Sequence, residues 1–398
     1  MSLSGSVKSN SSKPDAPPLQ GVRVLSMAEQ FPGPFATMLL ADLGADVVQI
    51  ERPAGGDPSR KFPAFYSALN RNKRSIAVDL KAPRGLDVVR RMAKAADVFL
   101  EGFRPGTVDR LGVDYQEIRA LNDRIVYVSI SGFGQTGPYR DRPAHDISYQ
   151  ALSGMLAAAF RGATEGPGLA IADLSSGMFA ALAVLLGLWT REHRGAGSYI
   201  DVSMLDGLVT LMATHLVPVM NSRPAHIPPE PGYGVYRTAD DEYVSLSVAH
   251  EDHFWRNLCR CIGLDEYAGL SGAERVRDVH ALRERLAAAI GQRPLKEWAN
   301  VFNKEDVPFA PVLALTQVSS DAQVQARELI VRISNGGSEE THVRQPLVIG
   351  NRAPAPNRPA PKLGEHSREV LQDLGYLPQE IEDLIRAGVA FDAQDAGR

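Results

Sequence analysis

The chain has only two cysteines, and this scarcity leaves little room for disulfide or thiolate-metal chemistry. Cys259 and Cys261 lie two positions apart in a predicted helix, where their side chains diverge and cannot readily form a disulfide or clamp a metal. We interpret both as reduced packing residues, and we expect no metal site.

The chain also lacks a strong net charge and a long apolar run. Its formal net charge is −4, so no global basic field favours nucleic acid or an anionic membrane as a partner. The most apolar stretch, residues 178–189, is shorter than the ~20 residues that cross a bilayer and predicts a buried helix. Residues 1–18 are rich in Ser and Pro, so we predict a disordered tail, and the lack of a targeting segment favours a cytoplasmic location.

A length of 398 residues exceeds one ordinary core and predicts two domains. The first half alternates short apolar runs with helical patterns, which indicates βαβ units and a mostly parallel sheet covered by helices on both faces. The predicted strands are residues 22–27, 47–50, 75–80, 98–100 and 125–130, and the predicted helices are residues 34–43, 83–96 and 115–121.

The pattern changes over residues 232–248, where two alternating strands flank an Ala239-Asp240-Asp241 turn and predict a hairpin. Helical patterns follow over residues 252–261, 273–290 and 295–302. The predicted organisation is a large α/β domain over residues 19–225, a small α+β domain over residues 226–332 and a C-terminal segment over residues 333–398.

A glycine-rich segment, Gly132-Phe133-Gly134-Gln135-Thr136-Gly137, follows the predicted strand 125–130. It fits the dinucleotide-binding pattern, but Pro138 and a polar stretch follow it where that pattern requires a helix. We therefore predict no nicotinamide site. Gly132, Gly134 and Gln135 are instead predicted to lie in a loop whose backbone approaches a ligand closely.

Basic residues recur near the ends of successive predicted strands. Guanidinium groups bind phosphate oxygens in pairs and stay charged at any working pH, so these residues are candidates for binding a diphosphate. The alternative for each residue alone is a solvated surface position. The candidates are Arg52, Arg71, Lys73, Arg74 and Arg104.

His145 and Asp173 each begin a predicted helix after a glycine-rich turn. Ligands of open α/β sheets bind beyond the carboxyl ends of the strands, where an acid and an imidazole can exchange protons with a substrate. A structural alternative remains for both, because His145 could pack or cap a helix and Asp173 could be an N-cap. Glu251, after the predicted hairpin, is a weaker third candidate.

Seven stretches of the chain resemble the class III coenzyme A transferase superfamily, which includes the α-methylacyl-CoA racemases. The resemblance covers nearly the whole chain after the tail. The stretches are GPFATMLLADLGADVVQIERP, LNRNKRSIAVDLKAPRG, EGFRPGTVDRLGVDY, SISGFGQTGPYRDRP, IADLSSG, GAGSYIDVSMLDGL and PAPKLGEH.

The resemblance implies an interlocked homodimer of chains with a Rossmann-like large domain, which the C-terminal segment completes, and a smaller inserted domain. It also implies an acyl-CoA substrate, with the CoA phosphates near the basic residues, and no cofactor beyond the CoA of that substrate. In transferase members the aspartate matching Asp173 attacks the thioester to form a mixed anhydride. In racemase members that aspartate is one of two proton carriers.

The segment AHDISYQALSG resembles the racemase pattern, which places His145 on the racemase histidine and Glu251 on the glutamate that pairs with it. Leu174, Ser175 and Ser176 instead resemble many transferases, because racemases usually carry glycines after the aspartate. We expect a 2-methylacyl-CoA racemase that transfers the α-proton between His145 and Asp173 through an enolate. The alternatives are a CoA transferase with Asp173 as nucleophile and a CoA-binding protein without catalysis.

Overall fold

The computed structural model describes residues 16–159, 168–223, 228–350 and 353–393. The predicted tail therefore lies almost entirely outside the described residues. The strands in chain order are β1 (Arg23–Ser26), β2 (Asp46–Glu51), β3 (Arg74–Val78), β4 (Val98–Glu101), β5 (Val126–Ser131), β6 (Ser198–Ser203), β7 (Tyr233–Arg237), β8 (Tyr243–Ser247), β9 (Phe309–Pro311), β10 (Ile330–Asn335), β11 (Ser338–Val343) and β12 (Ala390–Phe391).

The helices alternate with the strands in the first half of the chain and predominate in the second half. They are α1 (Pro32–Asp42), α2 (Pro63–Asn70), α3 (Pro83–Lys94), α4 (Thr107–Leu111), α5 (Tyr115–Leu121), α6 (Asp146–Leu152), α7 (Met155–Ala159), α8 (Ile171–Arg194), α9 (Met204–Leu211), α10 (Ala213–Met220), α11 (Asp252–Ile262), α12 (Gly272–Arg277), α13 (Val279–Ile290), α14 (Leu295–Lys304), α15 (Leu315–Val318), α16 (Ala322–Ala326), α17 (Ser367–Asp373) and α18 (Pro378–Arg386).

The chain divides into two units, residues 1–213 with 328–398 and residues 214–327. The predicted boundaries, after residues 225 and 332, fall somewhat later along the chain. The first unit is built on one sheet with the order β12-β3-β2-β1-β4-β5-β6. Strands β1 to β6 are parallel, and their order is that of a Rossmann fold.

The parallel strands bury both faces, because successive side chains point to opposite sides of a sheet. Val24, Val126 and Val128 join α1 and α8 in one apolar core. Leu25 and Tyr127, each next to one of those residues in sequence, pack on the opposite face with α3, α5, α17 and α18. The C-terminal segment also supplies β12, which pairs antiparallel with β3.

Helix α8 is longer than the apolar stretch that predicted it. Two glycines let it approach its neighbours, since a Cβ on Gly187 would lie 2.3 Å from Val126 Cγ1 and one on Gly177 would lie 2.8 Å from Phe35 Cδ1. By length and composition alone α8 could cross a membrane, but half of its apolar window is buried inside the structure. Its inner face belongs to the core of the first unit.

The second unit contains the predicted hairpin, now strands β7 and β8, with β9 added as a third antiparallel strand. Its core holds Trp255, Leu286, Trp298 and Phe302. Cys259 is buried in this core and Cys261 is half-buried beside it, and both thiols are free. Their prediction as packing residues agrees with these positions, and their reduced state stays a prediction.

Candidate active site

A cleft of about 310 Å³ opens at the carboxyl ends of β1 and β4. These two adjacent strands lead to opposite halves of the sheet, so the cleft occupies the topological switch point, where ligands of this fold bind. The segment after β1, from Ala28 to Gly33, and the segment after β4, from Gly102 to Pro105, line it. The fold therefore supplies a ligand site before any side-chain chemistry is considered.

His145 and Asp173 both line this cleft. His145 is the residue before α6 and is exposed, without a side-chain bond to the helix amides. Asp173 lies in the first turn of α8, whose N-cap residue is Ala170. The structure therefore brings the imidazole and the carboxyl group to one space and does not make Asp173 an N-cap.

Burial, and to a smaller extent the nearby Asp146 carboxyl group, together raise the pKa of Asp173 to about 7. Desolvation disfavours the charged form of a carboxyl group, and a second carboxylate adds repulsion. Asp173 can consequently hold a proton or release it near neutral pH. A group with that property can act as a proton carrier or as a basic nucleophile.

Glu29 is a second carboxyl group in the cleft, and the sequence analysis missed it. Its pKa is raised to about 7, because burial, the largest effect, and the Asp57 and Glu51 carboxyl groups raise it by more than the nearby Arg52 guanidinium lowers it. Its position directly after the first strand was the available signal, because residues at that point face the ligand of a Rossmann sheet.

Arg140 and Arg142 also line the cleft and were missed. Arg140 pairs with Asp141, and Arg142 lies over the ring of Tyr139. Both follow the glycine-rich segment directly, in the stretch RDRP. Together with Arg104, which lines the same cleft, they provide cationic groups suited to an anionic ligand.

The glycine-rich segment lines the cleft through Gly132 and Phe133. A Cβ on Gly132 would lie 2.1 Å from the hydroxyl oxygen of Tyr149, so only glycine fits there. Gly134 has a φ of 81° in the left-handed region. Gln135 anchors the loop, since its backbone N–H donates to Asp201 at 2.8 Å and its side-chain amide donates to Ser129 at 2.8 Å.

Three of the predicted phosphate-binding cations have their charged groups engaged within the chain. Arg71 is buried against Asp42 at 2.7 Å. Lys73 is buried and donates to the Pro34 carbonyl at 2.9 Å and to Asn70 at 2.7 Å, and burial lowers its pKa to about 7. Arg74 pairs with Asp46, Glu369 and Asp373. The prediction that the five cations bind a diphosphate together is therefore wrong for these three, because the cations do not converge on the cleft as one cluster.

Arg52 and Arg104 differ from those three. Both are exposed; Arg104 lines the cleft, and Arg52 lies close enough to Glu29 to influence its titration. Of the five predicted cations, Arg104 lines the cleft and Arg52 lies near one of its lining residues, and phosphate binding by these two stays a prediction.

Glu251 belongs to the second unit and directly precedes α11. Its Oε2 atom is buried without a hydrogen-bond partner among the described residues, and its Oε1 atom lies 3.9 Å from the Nε2 of His250. The pairing of Glu251 with His145 stays a prediction.

Several backbone amides near the cleft are already occupied. The N–H groups of Ala172 and Asp173 donate to Asp146, and the N–H of Gln135 donates to Asp201. These three amides are therefore not free to bind a developing oxyanion. Across the described ranges, no group of three His, Cys, Asp or Glu side chains is arranged to hold a metal ion.

Comparison with known proteins gives one consistent family. The profile of CoA-transferase family III matches residues 19–367. The succinate–glutarate CoA-transferase of Agrobacterium fabrum is 34% identical, over 90% of this chain and 96% of that protein. The human alpha-methylacyl-CoA racemase is 32% identical, over 92% of this chain and 96% of that protein. The crystal structure of a CaiB/BaiF family protein from Brucella suis superimposes with a TM-score of 0.81 at 28% identity, covering 90% of this chain and 99% of that chain.

Proposed function

Because the chain belongs to CoA-transferase family III, we propose that it moves coenzyme A between two carboxylic acids, with Asp173 as the nucleophile. The observation that carries this proposal is the position of Asp173, a half-buried carboxyl group with a pKa of about 7 in the switch-point cleft. The similarity to a succinate–glutarate CoA-transferase supports it and makes short dicarboxylic acids the first substrates to test.

The proposed reaction begins when a carboxylate oxygen of Asp173 attacks the thioester carbonyl carbon. The C–S bond breaks, coenzyme A leaves as a thiolate, and a mixed anhydride forms between the acyl group and Asp173. The thiolate then attacks the carbonyl carbon of Asp173, which releases the first acid as a carboxylate and leaves an Asp173–CoA thioester. A second carboxylate reverses these two steps and leaves as the new acyl-CoA.

This chemistry benefits from the surroundings of Asp173. A more basic carboxylate is a stronger nucleophile, and partial burial removes water that would hydrolyse the anhydride. Arg104, Arg140 and Arg142 are proposed to hold the anionic part of the substrate at the cleft. The reaction requires no cofactor beyond the coenzyme A of the substrate.

Trapping of the activated Asp173 carboxyl group by hydroxylamine tests the proposal. The protein is incubated with succinyl-CoA and hydroxylamine, and peptides are analysed by mass spectrometry. We expect a hydroxamate on Asp173 and transfer of CoA to glutarate or another short acid, with turnover of Asp173→Ala reduced by about 10³-fold or more. Efficient CoA exchange by Asp173→Ala would overturn the assignment.

Racemisation of a 2-methylacyl-CoA is the second candidate, and the presence of His145 in the same cleft as Asp173 favours it. Inversion needs a base and a conjugate acid at one carbon, and both groups are there. In deuterated water a racemase incorporates deuterium at the α-carbon, and His145→Ala and Asp173→Ala both lose most activity. A transferase incorporates none and depends far more on Asp173.

We also propose that the chain acts as a homodimer in the cytoplasm. An exposed apolar stripe on α8 supports the dimer, because exposed apolar patches of this kind usually mark protein interfaces. The stripe consists of Met178, Leu182, Leu185, Leu186 and Trp189.

A further inference from the structure

The side chain of Asp146 joins the two segments that carry His145 and Asp173. Asp146 is the first residue of α6 and directly follows His145. Its Oδ1 atom accepts hydrogen bonds from the N–H of Ala172 at 2.7 Å and from the N–H of Asp173 at 3.1 Å. One carboxylate therefore links the segment that carries His145 to the first turn of α8, which carries Asp173.

These bonds satisfy backbone N–H groups in the first turn of α8, for which the N-cap residue of the helix supplies no acceptor. The first amides of a helix have no partner within it, and a Ser, Thr, Asn or Asp at the N-cap usually supplies one. The N-cap of α8 is Ala170, which has no side-chain acceptor. Asp146 supplies the acceptor from another helix, although it lies 26 residues away in sequence.

Gln150 strengthens the same connection. It is buried on α6 and its side-chain amide donates both to Oδ2 of Asp146 and to the carbonyl of Leu169. The segment that enters α8 is thus held at Leu169, Ala172 and Asp173 by two side chains of α6. These bonds attach the backbone from which the Asp173 side chain projects to α6.

Asp146 also acts on Asp173 by its charge. After burial, it is the cause that raises the pKa of Asp173. Other titratable or charged groups lie around the cleft and on the elements that pack against α8. They are Glu29, Asp42, Arg104, Arg140, Arg142, His145, Tyr149, Tyr199, Asp201 and Asp206.

We propose that Asp146 is a positioning residue for the reaction at Asp173: its carboxylate, through its hydrogen bonds to the N–H groups of Ala172 and Asp173, holds the first turn of α8 in place. The inference rests on the proposed role of Asp173 as the reacting group. It predicts that the two effects of Asp146, the hydrogen bonds and the charge, can be separated by substitution.

The test compares Asp146→Asn with Asp146→Ala in the full-length protein. Asparagine keeps an oxygen that can accept from the two amides but removes the charge, whereas alanine removes both. Asp114 provides the matched control, because it caps α5 by accepting from the N–H of Gln116 at 2.8 Å and of Glu117 at 3.2 Å, and it is not among the residues that line the cleft. Circular dichroism establishes that each variant is folded.

The pKa of Asp173 is measured without substrate, by carboxyl ¹³C NMR with Asp173→Asn to assign the signal. We expect Asp146→Asn to lower this pKa by about one unit and Asp114→Asn to leave it unchanged. Since the titration needs no turnover, it tests the inference even if CoA transfer is not observed and the proposed function fails. An unchanged pKa in Asp146→Asn would overturn the electrostatic part of the inference.

The kinetic readout is the kcat and KM of CoA transfer. We expect Asp146→Ala to lower kcat by about tenfold or more with KM within about threefold, because misplacement of the reacting group affects the chemical step. Asp146→Asn is expected to regain most of that loss. If Asp146→Ala loses no more activity than Asp114→Ala, or if asparagine restores nothing, Asp146 does not position Asp173 in the way proposed.

Discussion

Asp173 and Glu29 are two carboxyl groups that line one cleft and whose pKa values burial raises to about 7. An exposed carboxyl group would be ionised throughout the neutral range and would be a weaker base. Because both pKa values lie near neutral pH, the pH dependence of the reaction can report on the ionisation of these two residues.

We expect kcat/KM for CoA transfer to rise with pH and to level off above about pH 7, because the proposed attack on the thioester requires an ionised Asp173. Glu29→Gln distinguishes the two carboxyl groups, since the rise should persist in this variant if Asp173 causes it. Activity that falls as the pH increases through 7 would contradict a carboxylate nucleophile. A bell-shaped profile would indicate a second titrating group and favour racemisation.

Asp173→Asn should increase thermodynamic stability at alkaline pH. The folded-state pKa of about 7 exceeds the unfolded value, so the contribution of Asp173 to the stability of the wild-type protein is largest below the unfolded pKa and is lost as the pH rises through 7. The uncharged asparagine avoids that loss. We expect a gain of about 1–3 kcal/mol near pH 8 and a smaller gain near pH 5, allowing for partial exposure of the group.

Urea denaturation of both proteins at the two pH values measures this difference. A gain that is equal at both pH values would show that ionisation of Asp173 is not its cause. A gain that is larger near pH 8 would mean that the native Asp173 lowers the stability of the protein, as residues of functional sites often do.

At the scale of elements, Arg74 connects β3 to the C-terminal helix α17. Its side chain is 8% exposed, and its guanidinium group pairs with Asp46, Glu369 and Asp373. Removal of this cation leaves Glu369 and Asp373 without the Arg74 partner, while Asp46 keeps its weaker pair with Arg23 at 3.4 Å. We expect Arg74→Met to lower the free energy of unfolding by about 1–3 kcal/mol, as measured by urea denaturation.

Arg124→Met is the matched control, because the pair of Arg124 with Glu192 is exposed on both sides; a change within about 0.5 kcal/mol is expected there. The original prediction for Arg74 was phosphate binding. An increased KM for acyl-CoA with unchanged stability in Arg74→Met would support that prediction and contradict the structural role.

Most elements of the first half follow from apolar periodicity. The eight strands and helices predicted before residue 131 agree with the structure to within two residues at each end. Strand β6 was not predicted, because it contains Tyr199 and Asp201 and is recognisable mainly through its pairing with β5. Strand β12 has two residues and is too short to show a period.

The predicted helix over residues 273–290 is divided at Asp278 into α12 and α13. Asp278 has a φ of −102° and a ψ of 19°, outside the helical region. The residues on both sides remain helical, so the composition of the stretch indicated a helix correctly but gave no signal for the break.

At the scale of the whole molecule, the apolar stripe on α8 predicts the oligomeric state. Its members recur at helical spacing from Met178 to Trp189, and their exposed fractions lie between 38% and 67%. A charge in the middle of such a stripe opposes burial against a partner. We expect Leu186→Glu to convert a dimer into monomers in analytical ultracentrifugation.

Leu315→Glu serves as the control, because Leu315 is 93% exposed in the second unit and lies apart from the stripe in sequence. It should leave the mass in solution unchanged. A wild-type protein that sediments as a monomer at micromolar concentration would contradict the proposed dimer outright.

The sequence by itself determined the parallel α/β class, the family and two of the residues that line the cleft. Alternating apolar segments dictate a sheet buried on both faces, and the segments after its strands meet at one edge wherever the strands are parallel. For this reason His145 and Asp173 could be expected at the ligand-binding edge of the sheet without coordinates.

Only the tertiary structure decided which charged groups are available to bind a ligand. Arg71 is neutralised by Asp42, which lies 29 residues away, and Arg74 by Glu369 and Asp373, which lie 295 and 299 residues away. Asp146 meets the first turn of α8 across 26 residues. The strength of a charge and its pKa depend on the groups packed around it, and those neighbours are brought together by the fold rather than by their order in the chain.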